Sequence, residues 1–192
     1  MPPAIRNEDA RQAILDATVA LCIERGFATT TIEGIAGRAG VGKTTIYRWW
    51  PSKAAILIEA IEAARDASAG FPDTGDIQAD LVAQTTNVMS LFQSDFGTLW
   101  RGLIAAAQSE EAAAEGVTRI LRVAIDGCVA RLATARAAGQ IRADLDLELV
   151  VELVYGPVYH TWLLRTRPIP EGYMASVLAT LMPAFAPTPE GA

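Results

Sequence analysis

Thr29 to Ile58 reads TTTIEGIAGRAGVGKTTIYRWWPSKAAILI, and it admits two readings that give the same residues different chemistry. Within it, Gly37-Arg38-Ala39-Gly40-Val41-Gly42-Lys43-Thr44 fits the Gly-x-x-x-x-Gly-Lys-Thr spacing, in which backbone N–H groups cradle phosphates and the lysine neutralises them. On that reading the chain is a small P-loop NTPase or kinase that uses Gly37 to Thr44 as its phosphate loop. Such a loop works only between a buried strand, which fixes it, and a long helix, whose N-terminus faces the anion. The flanks predict neither. Upstream, Ile32, Ile35, Ala36 and Ala39 recur at helical spacing, and Thr30 with Glu33 three residues later makes a capping box, so a short helix is expected there. Downstream, Pro51 interrupts the helix that starts near Lys43 after roughly two turns, less than a nucleotide-binding sheet requires.

The other reading is a helix-turn-helix. That motif needs a small residue where its helices touch, a residue tolerant of positive φ in the turn, and apolar residues that lock the second helix down. Ala36, Gly40, Val41 and Ile46 supply these. The second helix, about Lys43 to Trp50, then offers Lys43, Thr44, Thr45, Tyr47 and Arg48 to a major groove, as donors and acceptors for phosphates and base edges. Trp49 and Trp50 are expected to divide between packing and backbone contact. After Pro51, Ser52 caps a further helix whose first turn carries Lys53, a cation that opposes the helix dipole and is expected to seek a nearby anion.

From about Arg11 to Leu57 the chain resembles the N-terminal domain of the TetR/AcrR family of transcriptional regulators. The resemblance rests on Thr30-Thr31, Ile35-Ala36, Ala39-Gly40-Val41, Tyr47 and Ser52-Lys53, at matching spacing throughout. Gly42 stands where the family often has a capping Ser, and Trp49-Trp50 replaces a common His-Phe pair. Gly is an acceptable N-cap, at a loss of a few tenths of a kcal/mol. Carried over by position, the resemblance implies backbone or base contacts from Thr31, Lys43, Thr44, Thr45, Tyr47, Arg48, Trp49 and Lys53.

Charge agrees with this division of labour only when it is taken by region. The whole chain carries a formal −6. Residues 1 to 53 contain seven Lys/Arg and five Asp/Glu, a net +2, whereas residues 54 to 192 contain nine and seventeen, a net −8. Positive charge therefore sits in the head, and an acidic body keeps away from DNA. At 192 residues and 51% hydrophobic content the chain can bury a head and a larger body. Cys22 and Cys128 lie in apolar helical surroundings and read as buried thiols in a reducing compartment. Met1 to Asp9 is polar and proline-bearing, and the apolar stretch Leu147 to Leu164 contains Glu148, Glu152, Pro157 and His160, so neither a leader nor a membrane span is expected and the location is cytoplasmic.

The expected fold is all-α: an N-terminal three-helix DNA-binding domain with the helix-turn-helix over residues 1–58, and a helical effector-binding and dimerisation domain over 59–192. Asn7 is expected to cap the first helix, with Ala10, Ile14, Ala17 and Leu21 as its buried stripe and Gly26 as its stop. The fourth helix runs from Ser52 to about Ala69, and Gly70 to Gly75 is a breaker cluster. The body reads as helices at about Ile77 to Gln93, Thr98 to Gln108, Glu111 to Ala138, Asp146 to Thr166 and Glu171 to Pro183, with Gly139 as the stop of the third and Asp144 or Asp146 as the start of the fourth. Pro187 to Ala192 is expected to be a loose tail.

The helix near 147–164 is apolar around most of its circumference and must be covered on nearly all sides. One side is expected to meet the core and another a second subunit. Val150, Val154, Val158, Trp162, Val177 and Leu181 are the expected homodimer interface, and in the family it resembles the last two helices form a four-helix interface. Two recognition helices about one DNA turn, ~34 Å, apart would read a roughly palindromic double-stranded operator. The resemblance further implies a pocket for a small-molecule effector that relieves repression. Met89, Phe92, Phe96, Trp100, Tyr155, Tyr159 and Trp162 are its candidate lining. His160 is the only histidine and has no cluster of ligands around it in the sequence, so no metal or other cofactor is expected. Asp144 and Asp146 precede an apolar run and read as helix caps rather than catalytic acids, so no enzyme activity is expected. The function expected is that of a ligand-responsive repressor that binds its operator as a homodimer.

Overall fold

A computed structural model of the chain describes residues 3–66 and 71–187. Among these residues there are nine helices and no strand: α1 (Pro3–Arg25), α2 (Ile32–Ala39), α3 (Lys43–Tyr47), α4 (Lys53–Asp66), α5 (Ile77–Gln93), α6 (Asp95–Ala107), α7 (Glu111–Ala137), α8 (Leu147–Leu164) and α9 (Tyr173–Phe185). The all-α expectation holds. Gly37 lies inside α2 with no strand before it, so the P-loop reading fails on the geometry it requires. None of the helices among the described residues is long and apolar enough to cross a membrane.

The chain forms two compact units, residues 1–68 with 92–120 and residues 69–91 with 121–192. In the first, α1 packs on α2, α4 and α6, and α4 also packs on α6. Ile14, Leu15, Ala17 and Leu21 of α1 meet Ile35, Ala36, Ile46, Trp50 and Ile56 in one apolar cluster. This is the expected stripe of the first helix, with its partners. Where α6 passes the α1–α2 connection the approach is close: a Cβ on Gly102 would stand 2.8 Å from the Cβ of Phe27. In the second unit Ile77 and Leu81 of α5, Cys128, Leu132 and Ala135 of α7, Val150, Val151 and Val154 of α8, and Leu178 and Phe185 of α9 make the core.

Beside that second core Arg131 pairs with the buried Asp80 and, at 3.2 Å, with the exposed carboxylate of Asp73. Arg131 and Asp80 are 5% and 1% exposed. Nε and Nη2 of Arg131 donate to Oδ2 of Asp80 at 3.0 and 2.5 Å, and the Thr74 hydroxyl donates to Oδ1 at 2.7 Å. Burial opposes the charged carboxylate, but the hydrogen bonds from Thr74 and Arg131 prevail and hold Asp80 below its ordinary range.

Several helix ends differ from expectation, each for a local reason. α1 begins at Pro3, so Asn7 lies within it; proline suits a first turn because its missing N–H has no partner there anyway. The α2 cap is Thr31, not Thr30: Thr31 Oγ1 accepts from the Gly34 N–H at 3.1 Å, while the Thr30 hydroxyl donates back to the Gly26 carbonyl. α6 begins at Asp95, three residues before the expected Thr98, because Ser94 caps it through the Phe96 N–H. Asp146 caps α8, and Asp144 instead takes a two-pronged contact from Arg142, which pulls its carboxyl down to about 2. α7 ends at Ala137 before Gly139, and α9 runs past Pro183 to Phe185. Residues 67–69 of the expected fourth helix and 188–192 of the expected tail lie outside the described residues.

Candidate nucleic-acid interface

Gly40 makes the turn between α2 and α3. Its φ of 68° is a left-handed conformation that costs glycine nothing, and the Val41 N–H then closes onto the Ala36 carbonyl at 3.0 Å. Gly42 is extended and serves as a bare cap for α3, without a side-chain bond. The first α3 turn continues past Tyr47 by hydrogen bonds from the Arg48 N–H to Thr44 and from the Trp49 and Trp50 N–H groups to Ile46. Regular α-helix thus ends at Tyr47, and the expected span to Trp50 is completed by this tightened turn.

Four-residue spacing sorts the side chains. Ile46 and Trp50 point inward and are fully buried. Lys43, Thr44, Tyr47 and Arg48 point outward, Tyr47 with 55% of its surface exposed, and Thr45 and Trp49 are half-buried between the two faces. The Trp49 ring meets Trp50 edge-on, with 5.4 Å between centroids, and the Arg48 guanidinium lies over Trp49 at 5.0 Å. The exposed face of α3 is therefore a short polar and cationic ridge with one aromatic hydroxyl. Thr31, the N-cap of α2, is exposed and uses its hydroxyl as the cap.

Two of the cations are held by partners that the sequence did not announce. Lys43 Nζ sits 2.8 Å from Glu33 Oε1; the hydrogen bond lowers the glutamate and raises the lysine from their ordinary values. Lys53 is half-buried, and its ammonium donates to the carbonyls of Phe27, Ala28 and Thr30 at 2.9, 3.3 and 3.1 Å while resting 4.4 Å from the centre of the Phe27 ring. The anion that Lys53 seeks is thus supplied in the head by three main-chain oxygens of the α1–α2 connection. Ser52 caps α4 as expected, accepting from the Ala55 N–H at 3.2 Å.

The expected effector residues are divided between the units: Phe92, Phe96 and Trp100 in the first, Met89, Tyr155, Tyr159 and Trp162 in the second. Phe96 stacks on Trp100 at 6.5 Å, and Tyr159 meets Trp162 edge-on at 6.2 Å. Met89, Phe92, Trp100 and Trp162 are buried; Phe96, Tyr155 and Tyr159 are half-buried. Burial raises the Tyr155 phenol, so it is a neutral hydroxyl. Of the expected interface residues, Val150, Val154, Val158 and Trp162 are 0 to 5% exposed within the single chain, whereas Val177 and Leu181 are half-buried. The outward positions of α8 are instead Leu149, Leu153 and Leu164, exposed by 49, 43 and 63%. Among the described residues no group of three or more His, Cys, Asp and Glu side chains could hold a metal ion.

A buried three-helix support carrying an exposed, cation-bearing second helix across a glycine turn defines a helix-turn-helix DNA-binding protein. Residues 14–60 match the family described as bacterial regulatory proteins of the tetR family, and residues 71–181 match the tetracyclin repressor-like C-terminal domain. The chain belongs to the TetR family of transcriptional regulators. It is 33% identical over 174 residues to the uncharacterized HTH-type transcriptional regulator YdeS of Bacillus subtilis, covering 90% of this chain and 88% of that one. The crystal structure of the TetR family transcription regulator SCO0332 superposes with a TM-score of 0.75 at 32% identity, over 93% of this chain and all of that one. A regulator named FadR from Bacillus subtilis, in complex with stearoyl-CoA, shares the fold with a TM-score of 0.66 at 21% identity, over 89% and 96% of the two chains.

Proposed function

We propose that this regulator is a cytoplasmic repressor that grips a roughly palindromic double-stranded operator as a homodimer and is released by a small-molecule effector. The outward face of α3 carries this reading. Lys43, Thr44, Tyr47 and Arg48 can reach base edges and phosphates without disturbing Ile46 and Trp50, which hold the helix to its support. Thr31, Thr45 and Trp49 flank that face, and Lys53 acts by fixing the α1–α2 connection. In functional terms residues 1–58 read DNA and residues 59–192 dimerise and sense.

Leu149, Leu153 and Leu164 support α8 as the dimer helix, since three exposed leucines on one surface helix ask for a cover that a second copy provides. Val177 and Leu181 of α9 stand at its margin. Within the second unit Met89, Tyr155, Tyr159 and Trp162 support an apolar effector with few polar groups, and the stearoyl-CoA held by the FadR structure supports an acyl-bearing class of ligand. An effector acts only through different affinity for the DNA-bound and released states.

Selection of fragments from genomic DNA by the purified dimer, followed by fluorescence anisotropy on the enriched duplex, tests the reading. Enrichment of a sequence with two-fold symmetry, bound with steep salt dependence, is the expected result. Recovery of random fragments alone overturns it.

A further inference from the structure

Four basic residues of the head are engaged by other groups of the chain. Arg38 pairs with Glu24 at 2.7 Å, Arg48 lies over Trp49, Lys53 serves carbonyls, and Lys43 pairs with Glu33. The last pair differs from the others in position. Lys43 opens α3, the end of a recognition helix that contacts base edges, and Glu33 lies in the first turn of α2, so the contact spans both helices on their outward side. Both side chains are well exposed, at 54% and 64%. A pair so exposed is weak enough for a competing anion to open.

Sequence-independent binding to DNA consists of cations meeting phosphates. A phosphate that approaches Lys43 must displace a carboxylate and then remain beside it, where like charges repel. We propose, resting on the DNA-binding reading above, that Glu33 attenuates Lys43: it makes the phosphates of any duplex compete for the ammonium, so that Lys43 adds less to DNA affinity than an unpaired lysine would. Glu33 contributes little to folding, because the α2 cap is Thr31 and survives its loss.

The experiment compares wild type, E33Q, K43Q and the double variant by anisotropy, on a random-sequence duplex and on the duplex enriched by wild type, over a range of salt. E33Q is expected to bind the random duplex about two- to fivefold more tightly. Its log K against log salt slope should steepen by about 0.9, one further phosphate neutralised. The enriched duplex should gain by a similar factor, and in the K43Q background E33Q should leave both affinity and slope unchanged. Unchanged affinity and slope in E33Q, or the same change with and without Lys43, overturns the proposal. Failure of wild type and E33Q alike to bind either duplex overturns the underlying reading. A separate readout needs no DNA: the Glu33 carboxyl, followed by NMR, should titrate below its ordinary 4.5 in wild type and return toward it in K43Q. An identical titration in both shows that the pair does not form, and the proposal falls.

Discussion

The indole Nε1–H of Trp50 donates to Glu59 Oε2 at 2.6 Å, and the other carboxylate oxygen of Glu59 accepts from Arg11. One carboxylate thus joins the end of the recognition turn to α4 and α1, the two helices on which it rests. Since Trp50 packs four residues after Ile46, this bond fixes the rotation of α3 and therefore the direction of its outward side chains. Glu59→Ala should lower the stability of the head by about 1–3 kcal/mol, the range for a partly buried hydrogen bond to a charged group. DNA affinity should fall with it while the dimer persists. Thermal unfolding, anisotropy and sedimentation together check this; unchanged stability with unchanged DNA affinity would remove Glu59 from the support.

Tyr47 projects from the same helix with no buried contact to lose, being more than half exposed. Tyr47→Ala should abolish binding of the enriched duplex at physiological salt and leave the unfolding free energy within about 0.5 kcal/mol of wild type, as for an exposed substitution. Lys53→Met should behave in the opposite way. Its ammonium satisfies three carbonyls, so its loss should lower stability first and affinity only through the loosened α1–α2 connection. Circular dichroism melts alongside anisotropy separate the two patterns.

Assembly has its own paired test. Leu153→Asp places a charge on the exposed stripe of α8, whereas Trp162→Asp places one inside the fold. The first should give a folded species of half the sedimentation mass with weakened operator binding. The second should unfold the chain before it separates any dimer, because an unpaired buried carboxylate is heavily penalised. A Leu153→Asp protein that keeps its mass would move the interface elsewhere.

How much of this was legible in the sequence follows from the range of each interaction. The head was legible because its pattern is local: Ile35, Ala36, Gly40 and Ile46 fix two short helices and their turn within a dozen residues. Glu59 was not, since its partners Arg11 and Trp50 lie 48 and 9 residues away and nothing in the local pattern pairs them. The role of Lys53 depends on the path of residues 27–30, where three carbonyls converge, and a dipole argument alone directed it outward. On α8 the difficulty is physical as well: a helix apolar on nearly every side carries no polar face to tell inside from outside, so Val154 and Leu153 are equivalent until the fold separates them.

Asp80 and Arg131 give the last prediction, in which pH supplies the control. Asp80→Asn leaves the Arg131 guanidinium charged in a core where only 5% of the residue is exposed, with the solvent-facing Asp73 as its remaining anion and Nη1 without a hydrogen-bond partner among the described residues. Removing one member of a buried pair should cost about 3–5 kcal/mol, while replacing both by apolar residues of similar volume should cost less. The carboxyl of Asp80 is held below its ordinary value of 3.8, so the folded state binds its proton more weakly than the unfolded chain does. The stabilisation is therefore complete above the unfolded value and disappears as pH falls through the lower, folded one. Urea midpoints for wild type and Asp80→Asn should differ by a constant amount from neutral pH down to about 4, the unfolded carboxyl range, and converge below it. Midpoints that remain separated by the same amount in strong acid would show that the charge on Asp80 is not what secures this core.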